Sequence, residues 1–106
     1  MAKAIIDAGI CGEETIVEAS KLEENGYDIS RKIESSCPFV QNLAEELTEV
    51  NAFNQISFRR GMPEILEKGS EHCTHAACPV PVGIIKTVEV SAGLALPKDA
   101  SIKLEG

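Results

Sequence analysis

Apolar and polar positions alternate through the first third of the chain and then switch to a helical spacing. Residues 2–8 are apolar around Ile5 and Ile6 and predict a first strand. Gly9-Ile10-Cys11-Gly12 follows as a flexible turn, where two glycines let the backbone approach a bound ion. Over residues 14–22, Thr15, Val17 and Ala19 alternate as a strand does, although Thr15-x-x-Glu18 also fits a helix capping box. Asn25-Gly26 favours the strand, because this dipeptide suits a type I′ hairpin turn with positive φ at both central positions. Tyr27, Ile29 and Ile33 then share one face of the next strand, so residues 14–34 predict a hairpin.

The period changes after Cys37-Pro38. Val40, Leu43, Ala44, Leu47 and Val50 form one helical stripe, with Pro38 suited to the first helical position. Glu45, Glu46 and Glu49 are expected to face water. Phe53, Ile56 and Phe58 predict a linker or short strand that plugs the core. Gly61-Met62-Pro63 restarts a short helix carrying Ile65 and Leu66 and ending near Gly69. Val80, Ile84, Ile85, Val88 and Ala92 fit a buried helix face ended by Gly93, although residues 87–91 also alternate as a strand would. Ala100, Ile102 and Leu104 predict a final strand. The fold class expected is therefore α+β. Three N-terminal strands and a C-terminal strand form a mostly antiparallel sheet, with helices packed on one face.

Composition narrows this picture. A chain of 106 residues is one domain, residues 1–106, and 43% hydrophobic residues suffice for a core. Three Phe, one Tyr and no Trp make that core aliphatic. A net charge of −7 argues against a nucleic-acid partner, which needs a basic footprint. Arg31-Lys32 and Arg59-Arg60 read as solvated surface pairs. Asp7 interrupts the N-terminal apolar run, so no signal peptide is expected, and no stretch approaches the ~20 apolar residues of a membrane helix. A cytoplasmic location follows as an expectation. In that compartment cysteines stay reduced, and metal or redox roles gain weight over disulfides.

The chemistry concentrates in Cys11, Cys37, Cys73 and Cys78, with His72 and His75 flanking Cys73. Thiolate and imidazole are the usual ligands of zinc and of iron–sulfur clusters. Cys37 and Cys78 each precede a proline. A cysteine before a first-turn proline takes the N-cap position, where free N–H groups and the helix dipole favour thiolate. The plainer alternative is a small buried hydrophobe that happens to cap a helix. Cys73 and Cys78 form C-x4-C, at the loose end of zinc-ligand spacing. His75 reads as a surface residue. If strand ends and helix starts share one edge, all four thiols converge there.

This arrangement resembles the U-type, NifU-like iron–sulfur cluster assembly scaffolds. The matching residues are Cys11-Gly12-Glu13 in the turn between the first two strands, Cys37 after the third, and the His72-Cys73 pair. Cys11 and Cys37 are 26 positions apart, close to the spacing in that family. The resemblance implies Cys11, Cys37, Cys73, His72 and Glu13 as ligands of a zinc ion or nascent cluster. It also implies a His-Cys pair that opens a late helix, and a sulfur donor or cluster acceptor as protein partner. Cys78 is additional and would complete a four-thiolate site.

Three readings follow. One is a metal-binding protein of scaffold type. The second is a sulfur-transfer or redox protein with Cys37 or Cys78 as nucleophile. The third is an acidic interaction module with incidental cysteines. No Gly-rich phosphate loop or Ser/His/Asp order offers a competing catalytic set.

Overall fold

The computed structural model describes residues 1–106. Strands β1 (Ala2–Asp7), β2 (Glu14–Lys21) and β3 (Asp28–Ser35) are followed by helix α1 (Pro38–Glu46) and a short strand β4 (Glu49–Asn51). Two single 3₁₀ turns then lead to helices α2 (Glu64–His72) and α3 (Val80–Ser91). The sheet order is β1-β2-β3-β4, and every neighbouring pair is antiparallel. The fold is α+β: α1 and α3 pack on the sheet, and α2 packs against both of them. No helix is long and apolar enough to cross a membrane.

Alternation in β2 places Thr15, Val17 and Ala19 inward, and all three are buried. Val17 and Ala19 join Ile84 and Val88 of α3, Val40 and Leu43 of α1 and Ile29 of β3 in one buried cluster, with α3 packed on β2 and α1 on β3. The core is aliphatic throughout. α3 approaches the sheet at Gly83, where an added Cβ would stand 2.3 Å from Ile6 Cδ1.

Several boundaries differ from the sequence expectations. The β2–β3 connection is a hairpin, but Asn25-Gly26 does not form a type I′ turn, since neither residue has positive φ. Instead the Gly26 N–H donates to the Glu23 carbonyl (3.1 Å), which puts Gly26 last in a four-residue turn inside a longer loop. α1 stops at Glu46, and Val50 lies in β4 opposite Ile29. Val50 is buried either way, so a helical stripe and a strand made the same demand on that position. α2 runs past Gly69 to His72. Gly69 is interior because a Cβ there would come within 2.8 Å of Pro81 Cγ on α3.

The expected strand at 100–105 is absent, and residues 94–106 carry no regular structure. The place beside β3 belongs to β4, and Ile102 and Leu104 remain exposed. Phe58 does not plug the core either; it is 70% exposed, and Gln55 is the fully buried residue of that segment. Gln55 Oε1 accepts the Ile65 N–H at 2.9 Å, which satisfies one free donor in the first turn of α2. Arg31 is not a solvated surface residue. Its Nη2 donates to the Ala44 carbonyl in the last turn of α1 (2.9 Å), and burial brings its guanidinium down to about 10.

Candidate metal centre

The end of β1, the start of β2 and the end of β3 form one edge of the sheet, since Asp7 pairs with Glu14 and Thr15 with Ser35. Cys11 sits on the turn that joins β1 to β2 there. Gly9 (φ 95°) and Gly12 (φ 74°) make that turn feasible, and the Gly12 N–H closes it on the Gly9 carbonyl at 2.9 Å. Its exposed position leaves the Cys11 thiol open to solvent.

Cys37 is tied to the same edge. It is the N-cap of α1 with Pro38 following, and its N–H donates to Ser35 Oγ at 3.1 Å. Ser35 Oγ in turn bonds Thr15 Oγ1 of β2 (2.8 Å). The neighbouring Ser36 hydroxyl donates to the Glu13 carboxylate and accepts the Glu14 N–H (3.3 Å). Glu13 therefore joins the Cys11 turn to the Cys37 segment.

Cys73 and Cys78 arrive from the helices. Cys73 is the C-cap of α2, its N–H bonded to the Gly69 carbonyl at 2.8 Å. The His72-Cys73 pair thus closes a helix and opens none, so Cys73 meets the negative end of a helix dipole. The N-cap of α3 is Pro79, so Cys78 stands one residue outside that helix and is not its cap. The Cys78 N–H turns back onto the His75 carbonyl (3.1 Å), and His75 is exposed.

Cys37, Cys73 and Cys78 are all half-buried and pack against the apolar core. Burial pushes the Cys73 thiol up to about 11, and the nearby Cys78 sulfur, within hydrogen-bonding reach, and Cys37 push the same way. Every influence on this thiol favours the protonated form, and no cationic side chain counters them. The three sulfurs share one region without closing into a compact trio. Bonds of about 2.3 Å to a single zinc would bring them roughly 3.8 Å apart.

One trio of potential ligands does close. His72 Nε2 and one carboxylate oxygen from each of Glu46 and Glu71 all lie within 4.8 Å of one another. His72 bonds the Glu46 carboxylate across the α1–α2 interface, so its ring serves this group and not the sulfurs. The hydrogen bond from His72 holds the Glu46 carboxyl below its ordinary range. Lys68 pairs with Glu71 at 3.5 Å, and the carboxylates of Glu71 and Glu46 raise its ammonium. Glu46 was expected to face water without a role. Only the packing of α1 on α2 brings it to His72, and no spacing along the chain carries that signal.

No curated protein and no solved structure matches the chain. The chain belongs to DUF6951, a family of unknown function whose model matches residues 2–104.

Proposed function

We propose that this protein is a small metal-binding protein of scaffold type that holds an iron–sulfur cluster or zinc through Cys37, Cys73 and Cys78, with Cys11 as fourth thiolate. The observation that carries the reading is the gathering of three half-buried thiols around Cys73, whose surroundings all disfavour a lone thiolate. A cationic metal supplies the positive charge these sulfurs lack and lets them ionise as ligands. The thiol spread suits a polynuclear cluster better than one zinc, because cluster thiolates bind different iron atoms. Glu13 supports the Cys11 turn through Ser36.

The order Cys11, Cys37, Cys73 supports a relation to the NifU-like scaffolds, while the position of His72-Cys73 at a helix end departs from them. A cytoplasmic protein that passes a cluster to, or takes sulfur from, a partner protein is the corresponding role. The test is anaerobic purification followed by iron, sulfide and zinc analysis and absorption spectra, before and after reconstitution. Cluster bands that fade in Cys37→Ala and Cys73→Ala support the reading. A chain that takes up no metal at its cysteines, or alanine variants with unchanged spectra, would overturn it.

A further inference from the structure

Helices α1 and α2 end side by side. Glu46 is the last residue of α1, His72 is the last of α2, and the two side chains meet. Each helix end presents free carbonyls and the negative end of its dipole. The last turn of α1 has no basic residue of its own, and Arg31 of β3 meets one of its carbonyls, that of Ala44, at 2.9 Å. Two carboxylates and an imidazole nitrogen are added at this point, their ligand atoms within 4.8 Å of one another. A tetrahedral zinc with bonds of about 2.0–2.2 Å needs these atoms roughly 3.4 Å apart, a distance that side-chain rotation can close.

We propose that Glu46, Glu71 and His72 form a divalent-cation site of zinc type, separate from the thiols, with its fourth position open to solvent. The ligand set of one imidazole and two carboxylates selects a first-row dication over calcium or magnesium, which take oxygen alone. Separation follows from α1 itself. Cys37 caps its N-terminus and Glu46 ends it, so the two lie about 13 Å apart along the axis at 1.5 Å per residue. His72 and Cys73 are adjacent in sequence but serve different groups. Lys68 is the one cation on the cluster; it bridges Glu71 when no metal is bound and swings into solvent when the metal enters. The site does not depend on the thiol reading.

The experiment adds cobalt(II), as a visible zinc substitute, to the full chain with all four cysteines changed to serine. One equivalent should bind with weak visible bands and no sulfur-to-metal charge-transfer band. Glu46→Gln and Glu71→Gln should each remove that equivalent, and His75→Ala should keep it. If the serine variant does not fold, Glu46→Gln and Glu71→Gln in the otherwise unchanged chain serve instead. Each should then lose one zinc equivalent while the thiolate charge-transfer bands persist. Absence of cobalt or zinc binding outside the thiols, or binding that survives both glutamate changes, overturns the proposal.

Discussion

Gly83 of α3 rests on Ile6 of β1, with room for a hydrogen and none for a methyl group: a Cβ would meet Ile6 Cδ1 at 2.3 Å and Cγ1 at 2.8 Å. This contact seats the start of α3 against the end of β1. Gly83→Ala gains about 1 kcal/mol of helix propensity but overpacks the interface at a cost of about 1–3 kcal/mol. A net loss of about 1 kcal/mol is expected in urea unfolding. In an Ile6→Ala background the clash is gone, and the same Gly83→Ala change should become stabilising. Additive effects in that double-mutant cycle would show that the two residues do not touch.

Gln55 bridges the core and the start of α2. Its Oε1 accepts from Ile65, and Pro63, the N-cap, offers no side-chain acceptor. Gln55→Ala leaves a buried N–H without a partner and a hole beside it. The expected loss is about 2–4 kcal/mol. Amide exchange should accelerate first at Ile65 and along α2. Uniform acceleration over the whole chain would argue against a local cap.

The Glu46–His72 contact makes a pH prediction. The folded carboxyl of Glu46 ionises below its ordinary range, chiefly because His72 bonds it. A depressed carboxyl contributes stability above the unfolded pKa, and the contribution fades as pH falls through the folded one. In the metal-free chain, His72→Ala should move the Glu46 carboxyl titration, followed by carbon NMR, upward toward 4.5. Unfolding midpoints of wild type and variant should converge below the wild-type carboxyl pKa. An unmoved titration would mean that the pair does not persist in solution.

The sheet was legible because alternation in Thr15, Val17 and Ala19 has only one buried solution once β1 and β3 flank it. The end of α1 was not legible. Val50 fits a helical stripe and a β4 pair with Ile29 equally well, and only the sheet decides between them. Residues 100–105 alternate without a neighbour, since β4 holds the place beside β3, and a strand pattern makes a strand only when a partner accepts its N–H groups. The thiol-bearing elements were readable in order but not in polarity. Cys37 caps a helix start as expected, whereas Cys73 closes a helix, because Gly69 packs on Pro81 inside α2 and does not end it. The Glu46–Glu71–His72 group spans two helices and leaves no mark along the chain.

Burial sets the reactivity of the thiols. Cys11 is open to solvent, whereas Cys73 is half-buried with its thiol pushed up to about 11, first by burial and then by Cys78 and Cys37. In chelator at pH 8, alkylation followed by peptide mass spectrometry should label Cys11 first and Cys73 last. Raising the pH toward 11 should release Cys73. The raised thiol also adds a stability term, present below its unfolded pKa near 9 and lost as pH climbs through about 11, because the folded chain holds that proton longer. Cys73→Ser should flatten this alkaline decline. Saturating metal should reverse the order, protecting Cys73 even at high pH, since a metal-bound sulfur is already ionised and no longer available to the reagent. Early labelling of Cys73 in the metal-free chain would mean that its thiol is neither shielded nor held protonated by its neighbours.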